Sequence, residues 1–463
     1  MDKTVDLTND LKKFDERLDT WVVRDEAAGK FCVDREVFTD EIAYELEMRH
    51  IFEGNWIYVA HESQVSKPND FLTTNIGRYP VIVSRSKSGE IKTLLNVCTH
   101  RGARVCREKA GNKRFHSCPF HGWTYSSAGD LVDVTAEDKG AYPESFDKSE
   151  RGLENIRTEN YRGFIFASLN PDVVPLEDYL AGTKKLIDLL VDQSPEGELE
   201  VLRGATRYTY QGNWKLQAEN GLDGYHVGTV HANYFMTAMR RTSGESSNDT
   251  VVFDFSVFDK IRGGSFHFEN GHALLWTEYG NYKDRPNYAM LDELTEKYGE
   301  TVATWMNKRL RNLLVFPNVF IMDQTSTQLR IIRPISVAET EVITYCIAPK
   351  GESADARALR IRQYEDFFNA SGMATPDDLT EFNNSQLGFL PGRTNDMSRG
   401  AKRWLDGPSE DSKEIGAEVI STGVETADEA LYMSIHEEWH ARMKDAISRE
   451  ERRNPAFVSE AAE

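Results

Sequence analysis

The pairs Cys98-Thr99-His100 and Cys118-Pro119-Phe120-His121, with 17 residues between them, constrain this chain more than any other stretch. Each pair offers one thiolate and one imidazole. Two of each could hold tetrahedral zinc, but a zinc-finger half usually brings two ligands of one kind with wider histidine spacing. A [2Fe-2S] centre suits the pairing better, with two cysteines on one iron and two histidines on the other. Neutral imidazole in place of thiolate lowers the negative charge on such a centre and raises its potential. Around these pairs, NWIYVAHES and DFLTTNIGRYPVIVSRSKSGEIKTLLNV alternate β-rich runs with Gly, Pro, Asn and Ser. A small antiparallel β domain is expected, with a hairpin at Ser86 to Glu90 and the ligands on its loops.

A centre that delivers electrons needs an acceptor, and Glu219 to His231, reading ENGLDGYHVGTVH, offers one. His226 and His231 read as ligands of a mononuclear metal; the alternative is one core and one exposed histidine. On an ideal helix they stand about 140° apart, so the turn must distort to aim both at one ion. Asp223 is placed to receive an imidazole N–H and so to fix the tautomer and orientation of a metal-bound His226. Two histidines leave iron underligated. Activating O2 calls for a carboxylate as well, in a set that keeps positions open.

A length of 463 residues leaves room for two or three full cores, and 40% hydrophobic residues exclude wholesale disorder. No run approaches the roughly 18 apolar residues that span a bilayer. A net charge of −20 repels phosphate backbones and anionic lipid, so neither nucleic acid nor membrane is an expected partner. Five scattered cysteines do not read as a disulfide framework, and the start MDKTVDLTNDLKKFDERLD has no apolar signal segment. A cytoplasmic protein with reduced thiols is expected.

The fold class is α+β. Residues 1–45 read as a helical arm packing on the catalytic domain, 46–160 as the β domain, and 161–463 as a larger domain with an antiparallel sheet flanked by helices. Helices are expected from an N-cap at Thr39, over 175–191, over 291–314 and over 354–368. The run YRGFIFASL (161–169) either closes the small domain or opens the next, with the boundary set near Asn160.

These motifs resemble the large (alpha) subunit of Rieske non-haem iron aromatic-ring-hydroxylating dioxygenases, over nearly the whole chain. CTHRGARVC and CPFHGW carry the cluster motif, and ENGLDGYHVGTVH the mononuclear-iron motif. FEGNWIYVAHESQ (52–64), VDQSPEGELEVLRG (191–204) and NDMSRGAKRW (395–404) look most like the benzoate, toluate and anthranilate 1,2-dioxygenase branch. The resemblance implies that Cys98 and Cys118 bind one cluster iron, His100 and His121 the other, and His226 and His231 the Fe2+. It also implies that the third ligand comes from TPDDLTEF (375–382), as Asp378 with Asp377 in reserve. The residues alone read rather as a helix start, with Thr375 as N-cap, Pro376 at N1 and two acids facing the dipole. By the same resemblance Asp223 bridges to His121 of the partner subunit. That implies a ring of three large subunits, as α3 or as α3β3 with a small beta subunit. Asn220 precedes Asp223 by three positions where some members have four, so it is assigned no role.

The implied function is a terminal oxygenase component that dihydroxylates a benzoate-type aromatic carboxylate at adjacent ring carbons. O2 and electrons from an NADH-dependent flavin and iron-sulfur reductase are the co-reactants, since the chain has no dinucleotide fingerprint of its own. Anthranilate 1,2-dioxygenase, giving catechol, and a toluate or halobenzoate dioxygenase are the alternatives. Arg240, Arg241, Arg330 and Arg333 are candidates to hold the substrate anion. A rival of another class is His436-Glu437-Glu438-Trp439-His440, a literal H-E-x-x-H that on a helix could bind zinc as a hydrolase does. Its alternative is an exposed terminal helix rich in i, i+4 charge pairs.

Overall fold

The computed structural model describes residues 7–243 and 260–453. Two compact units emerge, Met48–Asp178 and a larger one joining Met1–Glu47 to Tyr179–Glu463.

In the smaller unit, seven antiparallel strands run in the order Ile57–His61, Phe164–Ser168, Asn155–Tyr161, Ile91–Leu95, Tyr79–Arg85, Asp70–Ile76 and Ala110–Asn112. A second, three-stranded sheet is built from Phe115–Ser117, Thr124–Ser126 and Leu131–Asp133. Phe164–Ser168 is buried along its whole length and pairs on one side with Ile57–His61 and on the other with Asn155–Tyr161. The run 161–169 therefore closes the small sheet, and the compact unit continues to Asp178, past the boundary expected near Asn160.

The larger unit is organised on ten antiparallel strands among the described residues. Leu199–Val201 and Thr206–Tyr210 both pair with Glu339–Pro349. Next come Thr327–Ser336, Val319–Asp323, Arg309–Val315, Ala273–Glu278, Gly263–His267, Ser421–Gly423 and Leu405–Asp406. Helices expected over 291–314 form only over Leu291–Tyr298 and Glu300–Asn307. Beyond them RLRNLLV is a strand, buried at six of its seven positions between two neighbours. A short apolar run does not distinguish buried strand from buried helix by periodicity, and the sheet decides. The helix near residue 40 is capped by Asp40, whose carboxylate accepts the N–H groups of Ile42 and Ala43, not by Thr39.

The terminal helix Ala430–Arg453 is not an exposed one. Leu431, Ile435, Trp439 and Met443, four residues apart, lie on one buried face. Its Trp439 indole donates to Glu47, which also takes the Trp214 indole and pairs with the wholly buried Lys215. That network ties the N-terminal arm, the terminal helix and the helix Trp214–Asn220 together, and the last of these leads directly into the candidate site.

Candidate functional site

Asn213 caps the helix Trp214–Asn220, and the chain then turns through a loop to His226. A single helical turn, Val227–Val230, separates His226 from His231. His231 stands at φ −95°, ψ 18°, so the turn unwinds where it must for both rings to face one point. The two Nε2 atoms are 3.3 Å apart. Asp378, from the helix Thr375–Phe389, brings Oδ1 to 3.5 Å from His226 Nε2 and 3.3 Å from His231 Nε2. Thr375 does not cap this helix; its hydroxyl donates to the Phe368 carbonyl. Asp378 is thus free of the capping role and faces the imidazoles.

Asn220, assigned no role from sequence, donates its side-chain N–H to Asp378 Oδ1 at 3.1 Å and lies 3.3 Å from His226 Nε2. Asp223 Oδ2 is 3.1 Å from His226 Nδ1, angled off a straight hydrogen bond. Its Oδ1 accepts the backbone N–H groups of Tyr225 and His226.

Electrostatics follow from burial. Burial pushes Asp378 up to about 6, against the pull of His226, Arg330 and the Asn220 hydrogen bond. It pushes His231 down to about 3, helped by the charges of His226 and Arg330. Burial would lower His226 too, but the charge of the Asp223 carboxylate beside Nδ1, then that of Asp378, raises it. Asp223 is held low by His226 although burial opposes this. Two ring nitrogens and a carboxylate oxygen, all within 4.8 Å of one another, make the one three-donor set of this kind among the described residues. A neutral His231 and a carboxylate that burial leaves undercompensated fit a divalent cation, which requires both in their unprotonated forms.

This centre opens on a cavity of about 850 Å³, lined among others by Phe367, Phe368, Met322, Asn312, Gln324 and Arg330. These come from separate strands and helices, and nothing in their sequence spacing announces a pocket. Of the anion-binding candidates, Arg330 lines the cavity, Arg333 pairs with Glu341 at 2.9 Å and Arg240 is exposed. The Arg241 side chain lies outside the described residues.

In the smaller unit, Cys98 and Cys118 are buried at 3% exposure each, while His100 is exposed and His121 half-buried. Both loops close alike. Gly102 N–H donates to the Cys98 carbonyl and Gly122 N–H to the Cys118 carbonyl, each glycine in the left-handed region at φ 75° and 77°. The imidazole centroids of His100 and His121 are 4.7 Å apart, His100 stacks on Trp123, and the Tyr125 hydroxyl is 3.2 Å from Cys98 Sγ. All five cysteines are free thiols. Among the described residues these four side chains do not form a set with all donors within 4.8 Å, as one tetrahedral zinc needs. A two-iron cluster spreads its ligands wider.

The H-E-x-x-H histidines are not brought together on a metal. His436, fully buried, holds Glu219 Oε1 through Nε2 at 2.6 Å, and Glu437 faces Arg24.

Residues 55–156 match the Rieske [2Fe-2S] domain, and residues 198–456 match the ring hydroxylating alpha subunit catalytic domain. The chain belongs to the ring-hydroxylating alpha subunits. As a member it is an oxidoreductase of the Rieske oxygenase type, with a [2Fe-2S] cluster and a mononuclear iron. It is 50% identical over 438 residues to toluate 1,2-dioxygenase subunit alpha of Pseudomonas putida, covering 94% of this chain and 96% of that one. To the 2-halobenzoate 1,2-dioxygenase large subunit of Burkholderia cepacia it is 47% identical, covering 93% of each. To the anthranilate 1,2-dioxygenase large subunit of Acinetobacter baylyi it is 47% identical, covering 91% of each. Among solved structures, naphthalene 1,2-dioxygenase with indole bound superposes with a TM-score of 0.74 at 25% identity, over 90% of this ring-hydroxylating alpha subunit and 95% of that chain. The relatives' names mark them as alpha or large subunits, parts of larger assemblies. No helix among the described residues is long and apolar enough to cross a membrane.

Proposed function

We propose that this alpha subunit dihydroxylates an aromatic carboxylate of the benzoate type at adjacent ring carbons. The observation that carries the reading is the convergence of His226, His231 and Asp378 on the wall of a cavity of about 850 Å³. Near-half identity to three 1,2-dioxygenase subunits named for substituted benzoates supports the substrate class. In this reading Cys98 and Cys118 hold one cluster iron, His100 and His121 the other, and His226, His231 and Asp378 the Fe2+. When bound, the ferrous ion supplies O2 activation and the cluster supplies single electrons.

The chain's own part is positioning. Asn220 steadies Asp378, and Asp223 orients His226 through Nδ1 so that Nε2 faces inward. The cavity wall holds the ring against the centre. Asp223 also serves the path to His121 of the partner subunit, which a ring of three alpha subunits would provide. Residues 1–45 are the arm of the catalytic domain, 46–160 the cluster domain and 161–463 the catalytic domain, except that the chain up to Glu47 goes with the arm and the chain from 161 to Asp178, including Phe164–Ser168, with the cluster domain.

The partners in this reading are an NADH-dependent flavin and iron-sulfur reductase and a small beta subunit, as α3β3 or, without it, α3. An NADH-dependent donor places the work in the cytoplasm. Benzoate, toluates, halobenzoates, anthranilate and salicylate, each supplied to the reduced protein, test the substrate class. Consumption of a benzoate with formation of its cis-diol carboxylate is expected, catechol from anthranilate moves the assignment to that sister activity, and consumption of none rejects the class.

A further inference from the structure

Five cationic side chains line the cavity, and four have somewhere to go. Arg262 pairs with Glu278 and Asp411, and Arg311 with Asp323. Lys308 lies over the Tyr282 ring, and Lys260 is exposed to solvent. Arg330 differs from them all. It is 4% exposed, it lines the cavity, and no hydrogen bond or ion pair to any described residue is made by its guanidinium. Its Nε is buried without a partner, as is that of Arg311, but Arg311 has Asp323 on its other side. Its charge is felt at His226, His231 and Asp378, so it shares the chamber with them, yet no carboxylate among the described residues lies within ion-pairing distance.

Of its three nitrogens only Nε is sealed from water; the other two face the cavity, where no described side chain meets them, whereas natural interiors pair such cations. Asp378 is not that partner in this structure: it forms no ion pair with Arg330, and its Oδ1 is held by Asn220 and directed at the two imidazoles. Among the described residues the chamber therefore holds no anion to pair with Arg330. With a ferrous ion on two neutral imidazoles and one carboxylate, the centre would carry one net positive charge, and Arg330 adds a second.

We infer that Arg330 is the anchor for the substrate's carboxylate, its fork donating paired hydrogen bonds to the planar anion while the ring lies toward His226, His231 and Asp378. The inference rests on the aromatic-carboxylate reading above and deepens it. It assigns specificity as well as affinity: a ring without the carboxylate leaves Arg330 unpaired and loses more than one contact. Fixing the carboxylate also fixes which ring carbons face the centre.

The experiment measures anaerobic binding of benzoate and of benzamide, its uncharged analogue, by calorimetry to wild type, Arg330→Gln and Arg330→Lys. Iron content and cluster absorbance are recorded for each protein. Wild type is expected to bind benzoate. Arg330→Gln should weaken benzoate about 10- to 100-fold, with benzamide within about threefold and both metal centres retained. Arg330→Lys keeps a point charge without the fork and should fall between. If wild type binds no aromatic carboxylate, the substrate reading fails and Arg330 with it. If wild type binds benzoate and Arg330→Gln binds it within about threefold, the anchor lies elsewhere and the substrate reading stands. Should the glutamine variant lose iron, the benzoate-to-benzamide ratio of the lysine variant decides. Should neither variant fold, benzoate must slow phenylglyoxal modification of Arg330 in wild type, and unaltered modification overturns the assignment.

Discussion

Asp223 Oδ2 stands 3.1 Å from His226 Nδ1, on the side of the ring away from His231 and Asp378. The contact divides the imidazole between two tasks: Nδ1 faces a carboxylate, and Nε2 faces the metal centre. Asp223→Asn should retain the cluster and the mononuclear iron but slow electron transfer about 10- to 100-fold. Stopped-flow reoxidation of the reduced cluster in the presence of substrate and O2 measures this, and reoxidation at the wild-type rate removes Asp223 from the path.

Asp378 is the ligand that distinguishes an iron site from a pair of histidines. Asp378→Ala should lose mononuclear iron while the cluster keeps its visible absorbance. Iron analysis beside the spectrum checks it, and retained iron would pass the role to another residue, Asp377 being the nearest.

Iron uptake should depend on pH in a stated direction. Asp378 is raised from 3.8 to about 6 in the ion-free protein, chiefly by burial. The folded state then holds a proton there that the unfolded chain has already released. That group's contribution to ion-free stability is therefore lost as pH rises from about 4 to about 6. Fe2+ needs the deprotonated form, so the affinity of the iron-depleted protein should drop by up to about tenfold per unit as pH falls below about 6. Ferrous titrations at about pH 5 and about pH 7.5 would show this, and equal affinities would contradict it.

Asn220 holds Asp378 Oδ1 at 3.1 Å. Removing a group that orients a metal ligand typically costs about 10- to 100-fold in metal affinity. Asn220→Ala should therefore weaken Fe2+ binding within that range, leaving the cluster intact, as competition with a calibrated chelator would report.

Glu47 and Lys215 form a buried pair, at 1% and 0% side-chain exposure, and burial pushes Lys215 down against the pull of Glu47. Breaking such a pair from one side leaves an uncompensated charge. Glu47→Ala should destabilise the larger unit by about 3–5 kcal/mol in denaturant unfolding, more than Glu47→Ala combined with Lys215→Met.

The sequence was most legible where the chemistry is local. The cysteine and histidine pairs each occupy one tight loop closed by a glycine, so their spacing carries the reading. His226 and His231 were readable as a pair, but the unwinding of the turn at His231 was not. Asn220 went unassigned because its partner, Asp378, comes from a helix far along the chain. Arg330 and Arg333 look alike in sequence, yet on one strand their odd spacing sends them to opposite faces, one into the cavity and one to Glu341. The strand Arg309–Val315 and the buried face of Ala430–Arg453 were misread because only neighbours in space decide whether an apolar run is strand or helix, buried or exposed.

Most direct of all is oxygen labelling. The purified protein, reduced chemically and given benzoate under 18O2 for a single turnover, should yield a cis-diol carboxylate carrying two labelled oxygens. A product with one labelled oxygen, or no oxygenated product from any aromatic acid, would contradict dihydroxylation of a benzoate at the His226, His231 and Asp378 centre.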